Sequence, residues 1–184
     1  MDRPRACLSV IRAREVFGSA IGAAVCALAL VSCGEQVPSQ AAMTQNDLCQ
    51  NDFETCVMPV LSGQIPRRGG AIISCMDGNC HVAGGSGGRF TLGADNNANF
   101  QAIKNLINMT SPQDSLLLVE PTQDDVAPSA VAGTHGGGEI FPTRSDACYV
   151  VISNWISNQV LTQTSASCGL CTPLSNTMTS CGYQ

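Results

Sequence analysis

The chain has 184 residues, with 9 Lys and Arg against 14 Asp and Glu and a formal net charge of −5. An acidic chain lacks the Lys and Arg surface that phosphate backbones demand, which argues against nucleic acid as a partner. It contains 11 cysteines.

Arg3, Arg5, Arg12 and Arg14 precede an apolar run over residues 17–31 that ends in Leu30-Val31-Ser32-Cys33. A basic segment, an apolar stretch of this length and small residues before a cleavage point make a secretory signal, too short to span a bilayer comfortably. The last four residues resemble the lipobox of bacterial lipoproteins. That resemblance implies cleavage after residue 32, lipidation of Cys33 and attachment to a membrane through the N-terminal lipid. Gly34 in place of Asp after the cysteine favours, by the same resemblance, the outer membrane, facing the periplasm or the cell exterior. Without residues 1–32, five basic side chains face twelve acidic ones, a net charge of −7 that suits a basic partner or solubility outside the cytoplasm. Cys7 and Cys26 leave with the signal and Cys33 carries lipid, so eight cysteines remain: Cys49, Cys56, Cys75, Cys80, Cys148, Cys168, Cys171 and Cys181. An even number in an oxidising compartment reads as disulfides; if two serve another purpose, six are left for three bridges.

Residues 33–46 are polar, small and Pro-containing, a tether for one domain over residues 47–160. Phe53, Cys56, Val57, Val60 and Leu61 fall at helical spacing, with Asn51 or Asp52 as cap and a kink expected at Pro59.

Cys75-Met76-Asp77-Gly78-Asn79-Cys80-His81 follows. It is a widened form of C-x-x-C-H, in which two thiols bond to a porphyrin edge and the next imidazole ligates its iron. Turn chemistry can absorb the two extra residues, since Gly78 tolerates positive φ and Asp77 and Asn79 tolerate left-handed geometry. Two readings stand side by side: a haem attachment site, or a small disulfide ring beside a surface histidine. The Gly-rich residues 84–88 give conformational room beside this loop, and residues 89–92 are extended at most.

Phe100, Ile103 and Ile107 mark another amphipathic segment from near Asn97, and Ser111-Pro112-Gln113-Asp114 reads as a helix start that Pro121 stops. Residues 121–143 show no periodicity and contain Gly133-Thr134-His135-Gly136-Gly137-Gly138. His135 is one of only two histidines, so it is a candidate partner for His81 on one metal or a solvent-exposed loop residue. Met109 and Met58 are rival axial ligands. Cys148, Val151, Ile152, Trp155 and Ile156 repeat the helical stripe, capped by Ser145 or Asp146. The two stripes predict helices packed on each other and make a Cys56 to Cys148 disulfide attractive. Residues 161–184, rich in Ser, Thr and Cys, read as a disulfide-pinned tail. There Cys168-Gly169-Leu170-Cys171 lacks the βαβ frame of a thiol oxidoreductase, and zinc is disfavoured by the oxidising compartment.

Over residues 50–158, the order Phe53, Val57-Met58-Pro59-Val60-Leu61, Cys75 to Cys80-His81, Arg89-Phe90-Thr91-Leu92, Asn99-Phe100, Ser111 to Leu117, His135-Gly136-Gly137-Gly138 and Tyr149 to Ile156 resembles secreted cytochrome c-like domains of Gram-negative bacteria. In that family an F-x-x-x-V-x-P-[IV]-L helix leads to the haem cysteines, and a Y-x-x-I-x-x-W-I helix closes the fold. The resemblance implies a mainly α, small cytochrome c-like helical domain with long loops, stabilised here by disulfides, that carries haem c and transfers electrons. Cys75 and Cys80 would form the thioethers, His81 the proximal bond and His135 the distal one, where many relatives use methionine. The chain departs from the family in its four-residue gap between cysteines and in lacking a Met-Pro-Pro ligand loop. Phe53, Phe100, Tyr149 and Trp155 are expected to line the pocket. The expected function is a haem-binding electron-transfer lipoprotein serving a redox protein partner, a carrier more than an enzyme. The competing expectations are a haem-free, disulfide-stabilised lipoprotein acting as a binding or structural module, and a peroxidase-like enzyme if His135 stays off the iron.

Overall fold

The computed structural model describes residues 46–122 and 135–184; the signal, the tether up to residue 45 with Cys33, and residues 123–134 lie outside the described residues. Asp47 and Val160 form an antiparallel bridge, each N–H donating to the other's carbonyl at 2.7 Å, so the two ends of the expected domain meet.

Helix α1 (Gln50–Asp52) runs through a π-helical stretch (Phe53–Val57) into α2 (Met58–Ser62). Pro59 has no N–H, and its ring would crowd the carbonyl four residues earlier. The backbone widens just ahead of it, with the Met58 N–H donating to the Phe53 carbonyl five residues back. The expected irregularity at Pro59 is therefore displaced one turn upstream. The cap is Cys49 rather than Asn51 or Asp52: its sulfur accepts from the Asp52 N–H at 3.3 Å. Asp52, inside the turn and buried, accepts instead from the Cys171 N–H at 3.1 Å.

Helix α5 (Ala147–Ser157) starts at Asp146, whose carboxylate accepts from the N–H groups of Cys148 and Tyr149 at 2.9 and 3.2 Å. Its buried face contains Cys148, Tyr149, Ile152, Trp155 and Ile156, with Val151 only half-buried. Trp155 packs on Phe53 with ring centroids 5.4 Å apart and donates its indole N–H to the Cys49 carbonyl at 2.9 Å, so the two predicted helices do pack together. Phe100 from α3 (Asn96–Lys104) joins them, 5.5 Å from Phe53 and 6.3 Å from Trp155. A 3-10 turn (Pro112–Asp114) leads to α4 (Leu116–Val119), which ends before Pro121.

A hairpin not anticipated from the sequence follows α2. Strand β1 (Ile65–Pro66) pairs antiparallel with β2 (Ile72–Ile73), Ile65 opposite Ile73. Gly69 sits at φ +91 in its connection, a conformation that side chains disfavour, and the Gly70 N–H closes back on the Arg67 carbonyl at 3.0 Å.

Three disulfides join the tail to the domain: Cys49 to Cys168, Cys56 to Cys171 and Cys148 to Cys181. The expected Cys56 to Cys148 bond does not form. Phe53 and Trp155 fill the seam between the helices, and each cysteine pairs with the tail instead. Cys168 and Cys171 do not pair with each other; each is committed to a structural bridge, to Cys49 and Cys56 respectively. The Thr177 hydroxyl donates to the Gln64 carbonyl at 2.9 Å, the Gly182 N–H to the Asp146 carboxylate at 2.7 Å and the Tyr183 N–H to the Pro66 carbonyl at 3.0 Å. The tail is thus a docked part of the domain. Helix is the predominant regular structure, in short segments joined by long loops. Among the described residues no helix is long and apolar enough to cross a membrane.

Candidate functional site: a cysteine and histidine cavity

The loop bearing the two cysteines is fixed at its root by Ser74, whose hydroxyl donates to the Leu61 carbonyl at 3.2 Å. Asp77 then organises the four residues between the cysteines. Its carboxylate accepts from the Ser74 N–H at 2.8 Å and its carbonyl from the Cys80 N–H at 2.7 Å, while the His81 N–H returns to the Cys75 carbonyl at 3.0 Å. The widened spacing is absorbed by this turn without positive φ at Gly78. Left-handed glycines follow the loop instead, Gly84 and Gly88 at φ +81 and +54.

Six of the eight cysteines after Cys33 pair, and Cys75 and Cys80 are the two left as free thiols, both half-buried. Desolvation, followed by the neighbouring Cys80, pushes the Cys75 thiol up to about 12, so it is held protonated.

His81 lies flat against Phe90, with ring centroids 3.8 Å apart and planes 13° from parallel. Its Nδ1 is 3.3 Å from the Phe90 carbonyl, which can only accept, so Nδ1 carries the proton and Nε2 is left with its lone pair. His135 repeats that chemistry. Its Nδ1 donates to the Gly138 carbonyl at 2.9 Å, within a turn that the Gly138 N–H closes on the His135 carbonyl at 2.8 Å. The two imidazoles stand with centroids 6.2 Å apart and planes 15° from parallel.

Both thiols and both imidazoles line one cavity of about 520 Å³. Its walls include Leu61, Leu117 and Phe141, and Arg67 and Arg89 are among its polar lining residues, Arg89 lying 3.8 Å from the Glu120 carboxylate. The four aromatics expected there do not line it. Phe53, Phe100 and Trp155 form the core cluster, and Tyr149 packs edge-on against Phe141 at 6.3 Å, leaving Phe90 and Phe141 as the cavity's aromatics. Neither rival ligand lines it either: Met58 is buried and accepts from the Asn99 amide at 3.7 Å, and Met109 packs on the margin of the core.

Sequence reasoning gave no site role to Phe90, Arg67 or Arg68. The Arg67 guanidinium donates to the Gly137 carbonyl at 2.7 Å, and Arg68 pairs with Glu139 at 2.6 Å. Gly69-Gly70 between two apolar pairs was the available signal, because a glycine pair there reads as a hairpin turn.

Burial, with a smaller contribution from His135, lowers His81 below its ordinary value of 6.5. The unfolded chain therefore takes up a proton at His81 at a pH where the folded one does not, and stability falls as pH drops through 6.5. The loss becomes complete once folded His81 also protonates. Thermal unfolding of cofactor-free protein from pH 7 to pH 5 should accordingly be steeper for wild type than for His81→Gln; equal slopes would refute the assignment.

The chain matches no protein-family model, no curated protein and no solved structure.

Proposed function

We propose that the chain is a haem c-binding electron-transfer lipoprotein of the bacterial cell envelope. Cys75 and Cys80 would hold the haem covalently, His81 and His135 would hold its iron, and Cys33 would carry the lipid. The observation that carries this reading is the pair of imidazoles 6.2 Å apart in one cavity, each with Nδ1 committed to a backbone carbonyl. That hydrogen bond fixes the tautomer and leaves Nε2 as the ligating atom, as in protein metal sites. Two imidazoles sharing one metal through nitrogens bonded at about 2 Å have ring centres at most about 6.5 Å apart, and the observed separation falls within that limit.

The donor set fits an extended planar group better than a bare ion. Among the described residues, the groups of three or more Cys, His, Asp or Glu with mutually close ligand atoms contain disulfide sulfurs and none of Cys75, Cys80, His81 or His135. These four donors are instead distributed around a space that falls within the range of about 300–1,000 Å³ usual for cofactor pockets. When bound, haem supplies one-electron redox chemistry. With both imidazoles holding the iron, no position would be open to substrate, which favours a carrier over a peroxidase. The cavity's aliphatic wall would exclude water and tune the potential.

Protein matured in a periplasm with haem-attachment machinery should give a pyridine haemochrome spectrum with about one haem per chain and a low-spin spectrum at rest. His135→Ala should convert most of it to high spin. A colourless product in which mass spectrometry finds Cys75 joined to Cys80 would overturn the carrier reading and leave a haem-free, cross-linked binding or structural module.

A further inference from the structure

We infer that the β1–β2 hairpin positions His135, with Arg67 as its principal contact; the inference rests on the two-imidazole reading of the cavity. Residues 135–138 form a self-closed turn through the two hydrogen bonds between His135 and Gly138, so the imidazole moves with its turn. The position of that turn is set from outside. Arg67 Nη1 donates to the Gly137 carbonyl at 2.7 Å, the Arg68 N–H donates to the Glu139 carbonyl at 3.1 Å, and Arg68 Nη1 meets the Glu139 carboxylate at 2.6 Å. Downstream, the N–H groups of Ile140 and Phe141 both donate to the Pro121 carbonyl, at 2.8 and 2.9 Å.

The hairpin is also continuous with the other half of the site, because β2 ends at Ile73 and the next two residues are Ser74 and Cys75. One short element therefore connects the cysteine loop to the His135 turn, and sets the separation of the two imidazoles. The two arginines contribute unequally. The Arg68–Glu139 pair is solvent-exposed, with 61% of the Arg68 side chain accessible, and such pairs are weak and screened by salt. Arg67 lines the cavity and makes its bond to a backbone carbonyl in a half-buried setting, where a charged donor counts for more. Its planar fork is not reproduced by lysine.

The test compares Arg67→Met, Arg67→Lys and Arg68→Met in haem-loaded full-length protein. The expected result is unchanged haemochrome yield, a high-spin fraction raised about tenfold or more in Arg67→Met, a smaller rise in Arg67→Lys and little change in Arg68→Met. Should Arg67→Met fail to mature, Arg67→Lys carries the comparison. A second readout needs no haem: histidine-selective NMR of cofactor-free Arg67→Met should move the His135 ring signals and leave those of His81 in place. Haem attached with an unchanged low-spin spectrum in both Arg67 variants would overturn the positioning role. A wild type without haemochrome would overturn the carrier reading instead, and unmoved His135 signals would then overturn the positioning role separately.

Discussion

Removing both bonds that tie α1 and its π-helical extension to the tail, by replacing Cys49, Cys56, Cys168 and Cys171 with alanine, is expected to lower stability by about 8 kcal/mol. The two bridges span 119 and 115 residues and run nearly parallel, from one helix to one short segment. If either is lost alone, the other still closes the long loop. What disappears is a ring of about a dozen residues, worth about 3 kcal/mol. Loss of the second releases the whole long loop, about 5 kcal/mol more. Each single removal therefore understates the pair, and the double loss is comparable to the entire stability of an ordinary domain, about 5–15 kcal/mol. Breaking Cys148 to Cys181 alone, with a separation of 33, should cost about 4 kcal/mol. Urea unfolding followed by circular dichroism measures all of these. Additive single and double losses would sink the parallel-clasp account, as would a quadruple variant within about 2 kcal/mol of wild type.

The helices were readable in the sequence because their determinants are local. The stripe of Cys148, Ile152, Trp155 and Ile156 and the Asp146 cap carry their own spacing, and α5 forms where they predict. The disulfide pattern was not readable in the same way. Cys56 and Cys148 lie on facing apolar stripes, yet their partners are decided by where residues 161–184 fold back, which depends on Asp146, Gln64 and Pro66 receiving tail groups from far along the chain. The site divides along the same line. Cys75, Cys80 and His81 are adjacent in sequence, and the meeting of His81 with His135 followed from there being only two histidines. Phe90 and Arg67 received no site role because an aromatic ring under an imidazole and an arginine on a remote carbonyl leave no periodicity. The aromatics that do show periodicity, Phe53, Phe100 and Trp155, serve the core.

Gly87→Ala is expected to displace the His81 ring and cost about 1–3 kcal/mol, the usual penalty for one methyl too many in a packed site. A Cβ at Gly87 would collide with His81 Nδ1 and lie 2.7 Å from its Cγ and 2.9 Å from its Cε1, closer than real Cβ contacts come. The ring has no easy retreat, since Phe90 lies stacked 3.8 Å away and the Nδ1 proton is bound to the Phe90 carbonyl. Gly137 stands in the same relation to the other imidazole: its Cβ would lie 2.9 Å from His135 Cε1 and 3.3 Å from Nδ1, with the Ile73 Cδ1 methyl at 3.5 Å. The two glycines thus set how closely backbone approaches each ring, a requirement distinct from the turn chemistry of the left-handed Gly84 and Gly88. Gly93 and Gly136 provide matched controls, because a Cβ at either meets nothing within 4 Å. Alanine there should be neutral, or stabilising by about 0.4–1 kcal/mol through the unfolded chain. Histidine NMR of the four alanine variants should show His81 moved only in Gly87→Ala and His135 moved only in Gly137→Ala. In haem-loaded protein the same two variants should gain high-spin character while Gly93→Ala, outside the cavity, remains low-spin. Identical spectra across all four would mean that the glycines serve loop flexibility alone and that neither imidazole is held in place by backbone contact.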